Sequence, residues 1–330
     1  VHHQKSHFEP VMIARKTFIS FTLLSLLAAA GVSELFAANG YTNEPSGDLQ
    51  AVVDNVAGRT HQKFKSGGLG QNDFAATVIS LRDRRYPIKA DYRGAAQIYP
   101  ASVVKLFYMS FYFRLLEDGK MRETSELKRG LRDMIVDSGN EATGYILDAL
   151  TGTTSGPELP QREFAAWSWK RNAVNRYFAS LGYGNININQ KTHCEDAYGV
   201  EQQFRSYKGE NRNMLTTNAT ARLLKEIVTG ESISRERSLE MMRLLRRDKN
   251  TDDAGGFKGA FMADALEPGT KLWAKAGFTS RTRHDAVYIE TPDNEKLVIV
   301  VFTEGQSENT EIIPFFAKNL LDGIKSLRNL

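Results

Sequence analysis

The chain has 330 residues, 41% of them hydrophobic and 25% charged, which suits one large core or two moderate ones in a soluble globular protein. Its formal charge of +4 falls to +2 once residues 1–30 are set aside, because Lys5, Arg15 and Lys16 outweigh Glu9 there. So small and scattered an excess excludes a nucleic-acid binder, and the basic clusters at 82–85 and 243–249 read as solvated faces.

Arg15 and Lys16 precede the apolar run 17–31, which is too short for a comfortable membrane span. Small residues at Ala28–Ala30, or later at Ala37 and Ala38, offer a cleavage site. Residues 1–38 therefore read as an export signal, with Met12 as an ideal start and residues 1–11 as upstream sequence. The alternative is an uncleaved N-terminal anchor. The expected location is periplasmic or secreted, with no stable span after signal removal. Cys194 is the single cysteine, so the mature protein folds without an intramolecular disulfide.

After a polar stretch at 39–47, Leu49, Val52, Val53 and Val56 recur at helical spacing and predict a helix over 48–64. A glycine-rich loop at 65–73 leads to two predicted strands, 74–83 and 86–94, joined by a short turn. A long apolar helix is predicted from Ala101 to Met121, followed by helices through 127–152. The middle, 151–215, is loop-rich, with one helical segment over 171–182 and an inserted look to 153–170. Helical patterns return at 217–229 and 234–247. Strands are predicted at 271–278, 284–292 and 295–305, and an amphipathic helix at 311–327 closes the chain.

Strands early and late, with helices between, bring the two ends of the chain into one sheet. The expected fold is α/β of the α+β type: an antiparallel sheet flanked by helices, plus an all-helical lobe. The sheet lobe is assigned to about 48–98 and 250–330 and the helical lobe to about 99–249, within one domain over 39–330. A cleft between the lobes is the natural place for a site.

Ser102 stands one turn before Lys105 at the start of a greasy helix. Residues three apart share a helical face, and a hydroxyl beside a deprotonatable amine is a nucleophile beside its base. Two further short patterns follow in order, Ser138-Gly139-Asn140 in a loop between helices and Lys275-Ala276-Gly277 on a strand. Each alone is weak. Together they make the S-x-x-K, S-D-N, K-T-G set, and the chain from about residue 48 onwards resembles class A β-lactamases and the penicillin-recognising serine hydrolases. The segments "YPASVVK", "MIVDSGNEAT", "LTTNATARLL" and "TSRTRHDAVY" are similar to family segments in the same order.

The resemblance implies roles for these residues. Ser102 attacks a lactam, amide or ester carbonyl, and its N–H with that of Phe278 forms the oxyanion hole. Lys105 accepts the serine proton, burial and the charge of Lys275 both pushing its pKa down. Ser138 relays a proton to the departing nitrogen, oriented by Lys275. Asn140 bonds the acylamide side chain of the substrate and helps fix Lys105, and Arg283 grips the substrate carboxylate. No cofactor is expected, and the partner is a small-molecule acyl donor, either a β-lactam or a peptidoglycan-like peptide. A monomer is expected.

Several positions depart from the family pattern. Ala276 stands where Thr or Ser is usual, and Gly139 where Asp is usual. Ser102 and Ser138 are closer in sequence than in typical class A enzymes, which implies a missing loop on that rim and room for bulkier acyl groups. Trp167 and Trp169 in the insertion either form a new wall of the site or seal the helical lobe. Spacing from Thr216 nominates Glu201 as the water-activating carboxylate on an Ω-loop, but Arg205 stands where Asn is expected; Glu195 is the second candidate. His193, Cys194, Glu195 and Asp196 lack paired Cys or His at ligand spacing, so no metal is expected.

The expected activity is a serine β-lactamase-like hydrolase acting through a Ser102 acyl-enzyme. One alternative on the same fold is a D-alanyl-D-alanine peptidase or transpeptidase, or an esterase, favoured if no carboxylate activates water. The other is a non-catalytic ligand sensor.

Overall fold

In Lys296–Glu304 (β6), Val298, Val300 and Phe302 face one side while Leu297, Ile299 and Val301 face the other, and all six are fully buried. A strand apolar on both faces has to be covered on both, and this one dictates a sheet sandwiched between helices. A computed structural model describes residues 47–193, 196–247 and 259–328. The expected signal segment, Cys194 and Glu195 lie outside the described residues.

Phe74–Ser80 (β1), Ile88–Tyr92 (β2), Arg246–Arg247 (β3), Lys271–Phe278 (β4), Thr282–Glu290 (β5) and β6 form one antiparallel sheet in the order β2-β1-β6-β5-β4-β3. The register pairs Thr77 with Val300 and Lys275 with Ala286. Gly47–Phe64 (α1) and Ile312–Leu327 (α10) cover one face, through Leu49, Val53, Phe316 and Leu320. The other face packs on Lys105–Glu117 (α2) and Thr217–Thr229 (α8), around which the remaining helices gather. Lys105 through Phe113 are all buried, so α2 is the central post of the helical side.

Those remaining helices are Ser125–Ile135 (α3), Asn140–Thr151 (α4), Gln161–Arg171 (α5), Ala173–Ser180 (α6), Val200–Arg205 (α7) and Arg235–Leu245 (α9). Three differences from the sequence reading have local causes. The helix predicted from 101 to 121 starts as a 3₁₀ turn over Ala101–Val104 and stops at Glu117, where Gly119 at φ 65° turns the chain. Helix α5 forms inside the segment that read as loop, because its buried positions Phe164, Trp167, Ser168 and Arg171 include two polar residues that hide the periodicity. The pattern over 234–247 ends as a helix at Leu245, since Arg246 turns extended (ψ 133°) and pairs with Trp273.

Candidate active site

Burial and backbone strain build the site. Ala101 adopts φ 46° and Ser138 φ 57°, left-handed conformations that cost an L-residue roughly 1–3 kcal/mol each. The first turns the chain sharply into the half-buried Ser102 at the head of the α2 column. The second lies in the corner between α3 and α4, held where Gly139 N–H donates to the Asp133 carbonyl at 2.9 Å. The same corner is braced outside by Arg132, bonded to Asp133 and Asp137.

Lys105 is wholly buried, and its ammonium donates to the Ser138 carbonyl at 2.6 Å, to Asn140 Oδ1 at 3.0 Å and to Ser138 Oγ at 3.3 Å. From the sheet side, Lys275 donates to the same Ser138 Oγ at 2.8 Å and to the Ala276 carbonyl at 2.9 Å. One hydroxyl is thus shared by two buried lysines. Burial first, and then the charges of Lys105 and Arg247, push the Lys275 ammonium well below the ordinary lysine range.

Strand β4 reaches the nucleophile by way of Gly277. A Cβ there would lie 2.7 Å from the Pro100 carbonyl oxygen and 3.1 Å from the Ser102 nitrogen, so only glycine lets the strand approach so closely. The Thr279 N–H donates to Thr282 across the β4–β5 turn at 3.0 Å. By strand alternation the Phe278 N–H turns the other way, towards the Ser102 side. Ala276 has its methyl on the face opposite Lys275, beside its register partner Asp285. Arg283 sits between the Phe261 and Phe278 rings, 4.2 and 5.1 Å from their centroids, and donates from Nε to the Ser307 carbonyl at 2.7 Å.

Glu201 does not join this cluster. Its carboxylate receives two hydrogen bonds from Arg171, at 2.7 and 3.0 Å, and one from Ser155 at 3.0 Å, with Lys191 Nζ at 3.3 Å. Burial works to raise its pKa, but Arg171 and Lys191 outweigh it and hold the group below the usual glutamate range. The arginine that keeps Glu201 ionised is Arg171, fully buried, whereas Arg205 pairs with Asp196 at 2.5 Å. Asp148 completes the cluster through Arg171 at 2.9 Å and Lys191 at 2.6 Å. Trp167 packs beneath it against Phe204, with the Arg171 guanidinium 4.4 Å from its ring centroid. Trp169 points outward and stacks on Arg176.

The loop carrying Glu201 is closed by backbone bonds of 2.8 Å in both directions between Asn187 and Met214. The Asn213 side chain ties its two limbs to Gln190, whose carbonyl also accepts from Tyr108 on α2 at 2.7 Å. Two residues bearing on the site were not singled out from sequence. Arg171 stands at the next position of the Phe164, Trp167, Ser168 face, a charge in line with a buried stripe, and that alignment was its available signal. His284, inside "TRHD", holds the Tyr99 carbonyl three residues before Ser102, at 2.8 Å.

A family model described as "Beta-lactamase enzyme family" matches residues 123–321. The chain belongs to the beta-lactamase enzyme family. The matched span holds Ser138–Asn140 and Lys275–Gly277 but begins after Ser102 and Lys105, which the fold carries to them. The fold is similar to that of a beta-lactamase from Sphaerobacter thermophilus, at TM-score 0.60 and 18% identity over 84% of this chain and 98% of that one. A beta-lactamase from Chitinophaga pinensis aligns at TM-score 0.60 and 17% identity over 83% of this chain and 100% of that one. The L158E mutant of PBP-A, an acyl-enzyme complex with penicillin G, aligns at TM-score 0.58 and 14% identity over 83% and 97%. No curated protein matches the sequence.

Proposed function

We propose that this beta-lactamase-family hydrolase opens β-lactams through an acyl-enzyme on Ser102. The observation that carries the reading is the convergence of Lys105 and Lys275 on Ser138 Oγ, next to the Gly277 contact with the Ser102 backbone. In this scheme Lys105 acts from its neutral amine form: Ser102 Oγ bonds to the lactam carbonyl carbon as its proton passes to Lys105 Nζ. The Ser102 and Phe278 N–H groups take the developing oxyanion. The C–N bond then breaks, and the leaving nitrogen takes a proton from Ser138, which Lys275 and Lys105 resupply. Arg283 and Asn140 hold the two ends of the substrate. Preorganised donors in a dry site, rather than flexible surface groups, supply the catalytic advantage.

Hydrolysis of the adduct needs a second base. The Arg171–Lys191–Ser155 grip on Glu201 supports a structural role for that carboxylate, and water activation is proposed to rest on Glu195 instead. The Lys191 side chain, four positions before Glu195 in sequence, lies over Gly144, one turn along α4 from Asn140. The same grip also favours a second reading, a peptidase- or transpeptidase-like enzyme with a long-lived adduct. Intact-protein mass after mixing with penicillin G tests both. A transient adduct absent from Ser102→Ala is expected; a persistent adduct selects the second reading, and no adduct on wild type overturns both. Export is proposed from the N-terminal sequence, and the N-terminus of protein recovered from a host periplasm or medium checks it.

A further inference from the structure

At the Lys271 end of β4 a groove of about 570 Å³ opens between helix α9 and the sheet, within the size range of small-molecule sites. No residue of the catalytic cluster lines it. Arg235, Leu239, Met242 and Arg243 present one face of α9 to it, and Arg246 follows on the same side. The floor is aromatic: Trp273 and Tyr288 pack with centroids 5.2 Å apart, and the Arg246 guanidinium stands 4.7 Å from the Trp273 ring centroid. Arg84 reaches in from the β1–β2 loop.

Charge here is lopsided. Among the described lining residues the one carboxylate is Glu290, already bonded by the Tyr288 hydroxyl at 2.9 Å and by Lys271 at 3.3 Å. Arg237, one helical step away, is paired with Glu117 and Glu240. Arg235 and Arg243 have no ion-pair partner among the described residues. Two guanidiniums without an ion-pair partner, on one helix face above an aromatic floor, leave a local positive charge. An anion held between them would neutralise that charge.

We propose that this groove binds a small organic anion with a planar apolar body. Its carboxylate, sulfonate or phosphate group lies between Arg235 and Arg243, where guanidiniums can grip an anion. Its apolar part lies along Trp273, Leu239 and Met242. Concave walls and an aromatic floor select a discrete molecule over an extended charged surface.

The probe is 8-anilino-1-naphthalenesulfonate, followed by calorimetry and by quenching of tryptophan emission. One site per chain is expected, undisturbed by saturating penicillin G. N-phenyl-1-naphthylamine, the same ring system without the sulfonate, is expected to bind at least about tenfold more weakly. Arg235→Gln/Arg243→Gln, both exposed, should weaken the sulfonate at least about tenfold while Ser102 acylation stays within about twofold. Equal binding of the neutral probe, an unchanged double variant, or displacement by penicillin overturns the proposal. So does binding to phosphatidylglycerol vesicles, lost in the double variant, in a protein that ignores the soluble sulfonate.

Discussion

His284 on β5 and Tyr99, three residues before Ser102, are tied by a 2.8 Å bond from imidazole Nε2 to the Tyr99 carbonyl. The other ring nitrogen accepts the Thr303 N–H at 3.1 Å, so the tautomer is fixed: Nε2 carries the proton and Nδ1 does not. A neutral, fully buried imidazole thus clamps the entry to the nucleophile onto the centre of the sheet.

His284→Ala should lose both bonds and open a cavity, destabilising the protein by roughly 2–4 kcal/mol. Acylation by penicillin should fall as well, with His284→Gln recovering part of the rate by donating to Tyr99. Burial depresses the His284 pKa to about 4. Between about pH 4 and 6.5 the unfolded chain binds a proton at this residue and the native state does not, so its contribution to stability rises with pH across that window. The effect is on the order of 3 kcal/mol, and denaturant midpoints at pH 4.5 and 7 for wild type and His284→Gln read it. A variant with the same pH dependence as wild type refutes the assignment.

Asp285, the next residue, should show the opposite slope. Burial raises its pKa to about 7, against hydrogen bonds from the Phe261 and Met262 backbone and the charges of Arg283 and Lys275. Between about pH 4 and 7 the native state keeps a proton that the unfolded chain has released, so stability from this residue is greatest in acid and lost as pH rises. Asp285→Asn should therefore gain on wild type as pH climbs from 4 to 7. Ala276→Thr should act similarly by another route: Asp285 Oδ1 has no partner among the described residues, and a hydroxyl at its register partner can donate to it. Urea titrations across pH test both, and a variant tracking wild type at every pH rules the account out.

The centre of the sheet was legible because β1, β5 and β6 are buried along nearly their whole length, and Pro292 and Asn294 mark the turn between β5 and β6. The lysine and serine positions were legible because a buried ammonium is so costly that Ser102 and Lys105 in one apolar turn demand a partner. The Glu201 cluster was not. A spacing rule counts residues along one chain, and what fixes Glu201 is a guanidinium 30 positions earlier in a helix with little visible periodicity. The shared Ser138 hydroxyl was half legible: three motifs pointed to one site, but only the fold shows two ammoniums meeting on one oxygen.

Gly277 offers a sharp test of how closely strand and nucleophile must meet. Adding one methyl would place carbon 2.7 Å from the Pro100 carbonyl, a backbone atom that cannot swing aside. Gly277→Ala should push β4 and the Ser102 turn apart by several tenths of an ångström and loosen the proposed oxyanion hole. Loss of such a donor typically costs about 10²–10³ in rate, so acylation should fall by that order while thermal stability drops only modestly. Acylation within a few-fold of wild type would show that the strand takes no part in holding the oxyanion.

Folding and turnover should separate between the two candidate carboxylates, Glu201 and Glu195. Glu201→Gln removes the more buried of the two carboxylates that neutralise Arg171, and breaking a buried pair from one side costs roughly 3–5 kcal/mol. A melting temperature lower by on the order of 10 °C follows, and Arg171→Met should restore part of it by removing the stranded charge. Adduct lifetime, measured by intact mass where the variant is still folded, should change little. Glu195→Gln should behave in reverse, with normal stability, normal acylation and an adduct that accumulates. Should Glu201→Gln melt like wild type and hold its adduct, Glu201 is the water activator and the ion cluster is incidental. Should neither variant prolong the adduct, no loop carboxylate serves deacylation, and the peptidase-like reading takes precedence.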